Sequence, residues 1–233
     1  MILQVESINT YYGTSHILQE VSFGVESGEV VALLGRNGVG KTTSLRSIMG
    51  LTPPRNGSIR FKDVEVLGKP PYAMSWLGLA YMPDDLRIFP DLTAGENLEI
   101  ARRLSRHSGY WSRERVEELF PVLHARRHQK GLNLSGGEKK MLSLGRALMA
   151  NPEMILLDEP SEGLAPMVVR NLIEVINEIG ERGMTILLAD QNVKFCRQVC
   201  ERGYIIERGC IVHEGTMEAI WEDEEVIKKY LVL

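Results

Sequence analysis

The sequence predicts an α/β fold: a mixed or parallel sheet flanked by helices, with an antiparallel β subdomain and a helical insertion. Three observations carry this. Val30-Val31-Ala32-Leu33-Leu34 and Met154-Ile155-Leu156-Leu157 are short unbroken apolar runs, the pattern of strands buried on both faces in a parallel sheet. Each run ends in a polar or glycine turn that leads into helical sequence, so strands and helices alternate. Between them, from Asp91 to Leu132, the pattern turns helical and arginine-rich without a strand.

Taken in order, Ile2 to Ile8 alternates as a strand and Ile17 to Val25 as a second, with Tyr11-Tyr12-Gly13 read as the turn between them. Ser27-Gly28-Glu29 turns the chain into the run at Val30. That run is followed by Gly35-Arg36-Asn37-Gly38-Val39-Gly40-Lys41-Thr42-Thr43, and Thr42 to Met49 reads as a helix. Pro53, Pro54, Asn56 and Gly57 mark a loop, then a strand from Ser58 to Phe61; Pro70-Pro71 opens a short helix, and Leu77 to Met82 is again a strand. Thr93 and Glu96 form a capping box at one helix start, and Ser112 caps another that stops at Phe120 before Pro121. Ser135 and Glu138 form a second capping box ahead of an amphipathic helix from Lys139 to Ala150. Ala165-Pro166 opens a helix to Glu181, and Met184 to Ala189 is a buried strand. The tail reads as a hairpin, Tyr204 to Glu207 with Cys210 to His213, turning at Arg208-Gly209, with one or two terminal helices.

Composition bounds the function. The chain has 233 residues and a formal net charge of -4, so it lacks the basic field of a nucleic-acid binder. No apolar run approaches the roughly 20 residues of a membrane span, and Met1 to Glu6 has no signal-peptide character. The expectation is a cytoplasmic protein whose membrane role, if any, runs through a partner. The 3 cysteines do not make a disulfide framework. A metal site from Cys196, Cys200, Cys210 and His213 is the sharper reading; small core residues is the plainer and preferred one. Arg102, Arg103, Arg106, Arg113, Arg115, Arg126, Arg127 and Lys130 crowd the insertion. A solvated helical face is preferred there over contact with a partner or anionic lipid.

Three stretches carry chemistry. Gly35 to Thr42 fits Gly, four residues, Gly, Lys, Ser or Thr between a strand and a helix, a phosphate-binding loop. Its backbone N–H groups and the helix N-terminus attract phosphate, Lys41 reaches the outer phosphates, and the Thr42 hydroxyl suits Mg²⁺. Leu134-Ser135-Gly136-Gly137-Glu138 is a second anion-binding helix start, because capping needs only the serine whereas close approach of a ligand to backbone needs glycine. Asp158-Glu159 ends a strand: Asp158 is placed for Mg²⁺ and Glu159 to polarise a water. Tyr12 is the candidate to stack on a purine, and Tyr11 is read as packing on the sheet.

Together the loop, Leu-Ser-Gly-Gly-Glu and Met-Ile-Leu-Leu-Asp-Glu-Pro, in this order, resemble the ATP-binding subunit of an ABC transporter over essentially the whole chain. The resemblance implies a phosphate-loop ATPase core from 1 to 90 and 133 to 233, with a helical subdomain at about 91–132, in one domain of 1–233. It implies ATP and Mg²⁺ as ligands, with Lys41, Thr42, Thr43 and the loop on the phosphates and Tyr12 on the adenine. Asp158 and Thr42 serve the metal, and Glu159 is the base. Ser135, Gly136 and Gly137 cap the ATP of a partner subunit. Three positions depart from the family pattern: Asp84 stands for the glutamine after Tyr81-Met82-Pro83 and joins the metal-facing set. Gln191 stands for the switch histidine, and Ala165 for an aspartate.

These departures resemble one of the two ATPases of branched-chain amino acid importers, with urea and short-amide importers as close relatives. The expected partners are a second copy or a second ABC ATPase, two membrane permease subunits, and indirectly a solute-binding protein, at the inner face of the cell membrane. A groove around Asp84 and the insertion is expected to receive the permease. Rival readings are a regulatory nucleotide-binding subunit with slow hydrolysis, and a permease-free ABC protein of translation or DNA repair. The latter usually carries fused cassettes or coiled coils absent here.

Overall fold

The computed structural model describes residues 1–104 and 107–231. In chain order the strands are β1 (Leu3–Tyr12), β2 (Ser15–Val25), β3 (Val30–Leu34), β4 (Asn56–Phe61), β5 (Val64–Glu65), β6 (Leu79–Met82), β7 (Met154–Asp158), β8 (Thr185–Asp190), β9 (Arg202–Glu207) and β10 (Cys210–Thr216). The helices are α1 (Lys41–Ile48), α2 (Pro71–Trp76), α3 (Ala94–Leu104), α4 (Arg113–Leu119), α5 (Pro121–Ala125), α6 (Gly136–Met149), α7 (Pro166–Glu181), α8 (Val193–Val199), α9 (Met217–Glu222) and α10 (Glu224–Val226). A 3₁₀ turn at Gly131–Asn133 and a π turn at Ile227–Leu231 complete the set.

Two sheets form. One is antiparallel in the order β2-β1-β4-β5; the other runs β10-β9-β3-β8-β7-β6. In the second, β9, β3, β8, β7 and β6 pair in parallel and β10 closes the edge antiparallel. The unbroken apolar runs follow from this placement. Val30, Ala32 and Leu34 of β3 face one core with Leu144 of α6, Ile176 of α7 and Phe195 of α8. Val31 and Leu33 face the other, with Leu45 of α1 and with Val5 and Phe61 of the antiparallel sheet. With period-two alternation, both faces of β3 must be apolar.

Helices of the insertion pack on α6: Leu98, Val116, Phe120 and Leu123 share a core with Leu144 and Leu148. Gly145 lies where they converge, and a Cβ there would come within 3.1 Å of Val116 Cγ1 and 3.3 Å of Leu98 Cδ2. A mid-helix glycine costs about 1 kcal/mol relative to alanine, offset here by close packing. Both capping boxes form: Thr93 with Glu96, and Ser135 with Glu138.

Some boundaries differ from the sequence reading. Tyr11 and Tyr12 lie inside β1, paired with His16 and Ser15, and the turn is Gly13-Thr14. Tyr11 stacks across the strands on His16 at 4.1 Å and carries the guanidinium of Arg55, from the loop before β4, 4.0 Å from its ring centre, so two ring contacts extend the strand. Leu77 closes α2 instead of opening β6, because Gly78 turns the chain at φ 98°. The tail hairpin turns at Arg208 and Gly209, both at positive φ, as a two-residue turn requires.

The insertion arginines are largely matched by neighbouring groups. Arg102 and Arg103 pair with Glu99, Arg113 with Glu117, and Arg126 with Glu138, while Arg115 lies over Tyr110. Arg106 lies outside the described residues. Cys196 and Cys200 are buried, and burial drives both thiol pKa values up. Among the described residues no group of three or more His, Cys, Asp or Glu side chains is placed to hold a metal ion, and no helix is long and apolar enough to cross a membrane.

Candidate active site

The phosphate loop leaves the carboxyl end of β3 and hands the chain to α1 through Gly40, the N-cap, at φ 121°. Only glycine adopts that backbone without strain, and a Cβ on Gly40 would lie 2.8 Å from Leu18 Cδ2. At Gly35 a Cβ would meet the Ile206 carbonyl oxygen at 2.5 Å, so β9 presses on the start of the loop. Gly38 turns at φ 81°, and the Val39 carbonyl accepts from the Gly209 N–H of the tail hairpin at 2.8 Å. The start of α1 has no side-chain cap and no acidic residue in its first turn. Its positive end therefore faces the loop unneutralised. Lys41 is 3% exposed, and its Nζ donates to the carbonyls of Gly35 at 2.9 Å and Arg36 at 3.0 Å, with Asn37 Oδ1 at 3.4 Å. Thr43 is buried beside it, and the Arg36 guanidinium donates to the Lys229 carbonyl of the π turn at 3.4 Å.

Strand order brings the carboxylates to this loop, since β7 pairs with β8 and β8 with β3. Thr42 Oγ1 donates to Asp158 Oδ1 at 3.0 Å, and Tyr81 from β6 donates to Asp158 Oδ2 at 2.9 Å. Burial pushes the Asp158 carboxyl up to about 6, with the Tyr81 and Thr42 hydrogen bonds pulling the other way and the Asp84 and Glu159 charges adding to the rise. Two hydroxyls are weak compensation for a buried carboxylate. A hard cation between Asp158 and Thr42 would complete it, so this oxygen pair fits Mg²⁺.

Glu159 sits just past the strand at φ 46°, a left-handed backbone for a non-glycine residue, with its N–H donating to the Ala189 carbonyl at 2.8 Å. Glu159 Oε1 lies 3.1 Å from Lys41 Nζ. Burial alone would raise the Glu159 pKa; a hydrogen bond from Glu162 and the Lys41 and Lys140 charges outweigh it and hold the pKa low. Glu162, bonded to Glu159, has its own pKa raised. The turn is held further by Lys140 Nζ, which donates to the carbonyls of Glu159 and Glu162 at 2.6 Å each, and by Asp190, which accepts the Ser161 N–H at 3.1 Å.

The remaining sequence candidates stand apart from this cluster. Tyr12 is 45% exposed, with its hydroxyl 3.4 Å from Thr52, and makes no polar contact with the loop. Asp84 is exposed and accepts the N–H of Asp85, touching the centre only through its charge. Gln191 is half-buried just past β8, and its side chain makes no hydrogen bond among the described residues. Ser135, Gly136 and Gly137 start α6. Ser135 and Gly136 are exposed, and a Cβ on Gly136 would meet nothing within 4 Å. Tyr81, Lys140 and Asp190 were missed from sequence. No local sequence signal points to Lys140, because the carbonyls it binds lie on a different element.

A strand, a glycine loop and a helix start that present N–H groups and a lysine at the carboxyl edge of a parallel sheet are the construction of a phosphate-loop nucleotide-binding protein. Within that class the chain belongs to the ABC transporter family, whose model matches residues 18–162. It is accordingly the ATP-binding, ATP-hydrolysing subunit of a transporter. The high-affinity branched-chain amino acid transport ATP-binding protein BraG of Pseudomonas aeruginosa is 37% identical over 231 residues, covering 99% of both chains. The lipopolysaccharide export system ATP-binding protein LptB of Haemophilus influenzae is also 37% identical, over 237 residues, covering 99% of this chain and 97% of the relative. Among solved structures, the ADP conformation of an ATP-binding cassette of an ABC transporter superposes with a TM-score of 0.84 at 28% identity, covering 97% of each chain.

Proposed function

We propose that this chain energises uptake of branched-chain amino acids through separate membrane permease subunits. The observation behind its ATPase chemistry is the meeting of Lys41, Thr42, Asp158 and Glu159 at one carboxyl edge. In this reading the loop amides and Lys41 hold the phosphates, with Lys41 exchanging its carbonyl partners for phosphate oxygens. Tyr12 takes the adenine. Thr42 and Asp158 hold Mg²⁺, with Asp84 near the mouth. Bound Mg²⁺ supplies positive charge against the phosphate oxygens. Glu159, kept in its carboxylate form by Lys41 and its other neighbours, accepts a hydrogen bond from the attacking water and orients it. Gln191 offers an amide donor in place of the family's histidine.

The chain works as a homodimer, or a heterodimer with a second ABC ATPase, with ATP between the subunits. Exposed Ser135 and Gly136 and the neighbouring Gly137 cap the partner's nucleotide. The open space over Gly136 supports this, because nothing in its own chain requires a glycine there. The groove between β6 and the insertion, lined by Tyr81, Pro83, Leu86, Ala101 and Arg146, receives a permease segment and keeps the chain at the inner face of the membrane. The helical insertion, residues 91–132, serves as its subdomain.

Amino-acid import is supported by the full-length similarity to BraG and by Gln191 and Gly163-Leu164-Ala165-Pro166, which resemble that importer group. Lipopolysaccharide export is the second reading, supported by LptB at the same identity. The test has two arms. Glu159→Gln should bind MgATP and hydrolyse it far more slowly; parent-like hydrolysis would remove Glu159 as the base. Cells lacking the chain should lose high-affinity leucine uptake. Normal leucine uptake with loss of urea uptake, or with lipopolysaccharide retained at the inner membrane, would reassign the cargo.

A further inference from the structure

We propose that Lys140 is a positioning residue that ties the placement of Glu159 to the seating of the signature segment Ser135-Gly136-Gly137. The inference rests on the reading of Glu159 as the base and of that segment as a cap on a partner's nucleotide. Lys140 lies about one helical turn into α6, on the same rigid 14-residue helix whose first residues are that segment. From there its Nζ donates to the carbonyl oxygens of Glu159 and Glu162, both at 2.6 Å. These two carbonyls belong to the first and last residues of one turn, which is closed by the Glu162 N–H donating to the Glu159 oxygen at 3.3 Å. Lys140 thus clamps the turn across both ends.

The turn needs a clamp. Glu159 at φ 46° sits in a region that costs a non-glycine residue stability and persists only where its surroundings over-determine it. The Ala189 carbonyl holds its N–H, and Asp190 holds the Ser161 N–H, both from β8. Lys140 is the hold that comes from α6. The lysine is costly at this place, because burial weakens its hold on its proton. Negative charge nearby, at Asp190, Glu159 and Asp84, opposes that loss without overcoming it. The start of α6 also bears on the start of α7, since a Cβ on Gly137 would meet Val168 Cγ1 at 3.0 Å. A shift of the signature segment therefore moves Lys140 and, through two short hydrogen bonds, the backbone that aims the Glu159 carboxylate. Each subunit's hydrolysis is in this way conditioned by how well it caps its partner's ATP.

The test uses the full chain at saturating MgATP, as the dimer it forms, comparing the parent with Lys140→Met, Lys140→Gln, Lys140→Arg and Glu159→Gln. Single-turnover hydrolysis and MgATP affinity are measured on each. Lys140→Met should slow hydrolysis about 10- to 100-fold, the scale of a misplaced catalytic group, with affinity unchanged. Lys140→Arg, which keeps a cation with several donors, should recover most of the rate, and Lys140→Gln should fall between. Parent-like turnover in Lys140→Met or Lys140→Gln, with Glu159→Gln inactive, would overturn the proposal and leave Glu159 as the base. Affinity falling in step with rate in either variant would also overturn it, because a merely structural lysine would behave that way. Parent-like hydrolysis by Glu159→Gln would instead sink the underlying reading. If Lys140→Met does not fold, Lys140→Gln decides by the same criteria.

Discussion

Tyr81→Phe isolates one hydrogen bond to a buried charge, and its effect on stability should depend on pH. Asp158 is fully buried, with a carboxyl raised from 3.8 to about 6 by burial, and Tyr81 donates to one of its two oxygens at 2.9 Å. The folded state therefore binds this proton more tightly than the unfolded chain does. Stability from this group is greatest below pH 3.8 and is lost as pH rises to about 6. That rise of about two units corresponds to a cost of about 3 kcal/mol for holding the carboxylate charged without metal.

A hydrogen bond to a charged group contributes about 1.5–3 kcal/mol and a neutral one about 1. Losing the Tyr81 hydroxyl should thus raise the Asp158 pKa further, by the difference of about 0.5–2 kcal/mol, or roughly half to one and a half units. Near pH 5 Asp158 is mostly protonated in both proteins, and the variant should lose only about 1 kcal/mol. Near pH 8.5 the loss should be larger by about 0.5–2 kcal/mol, the pKa shift expressed as free energy. Urea denaturation in EDTA without nucleotide, at both pH values, reads the difference directly. Other titrating groups, buried acids such as Asp190 among them, are common to both proteins and cancel in the difference. Asp158→Asn in the same buffers should remove the pH-dependent part and be more stable than the parent at the higher pH. Equal losses from Tyr81→Phe at the two pH values would refute the claim that Tyr81 stabilises the charged form.

Three further outcomes follow from the site. Lys41→Ala should abolish tight MgATP binding in calorimetry, since Lys41 is the buried cation inside the loop; unchanged affinity would unseat the loop as the phosphate site. Tyr12→Ala should weaken ATP by roughly 1–3 kcal/mol, the scale of base–aromatic stacking, with Tyr12→Trp tolerated. A neutral Tyr12→Ala beside a weakened Tyr11→Ala would reverse the choice of tyrosine. Gly136→Asp should leave folding and monomer ATP affinity intact but block ATP-driven dimerisation in sedimentation. It is a cleaner probe than Gly137, where a Cβ would press Val168 at 3.0 Å.

What the sequence determined by itself is local. The phosphate loop, both capping boxes, the carboxylates ending β7 and the Arg208-Gly209 hairpin turn are each written in contiguous residues. Glycine tolerance, N-cap hydrogen bonding and period-two burial act over a few positions, so a few positions suffice to read them. The tertiary structure decided what those pieces meet. Thr42 reaches Asp158 across 116 residues, and Tyr81 reaches it across 77, because β6, β7, β8 and β3 lie side by side in an order that the runs do not encode. Lys140 clamps the Glu159 turn, and Asp190 holds Ser161, only once α6 and β8 are packed on β7. Tyr11, read as packing on the sheet, does so through His16 and Arg55, whose positions depend on the register of β1 with β2 and on the loop before β4. Strand order and register are collective properties of two cores closing on one sheet, so no short segment carries them.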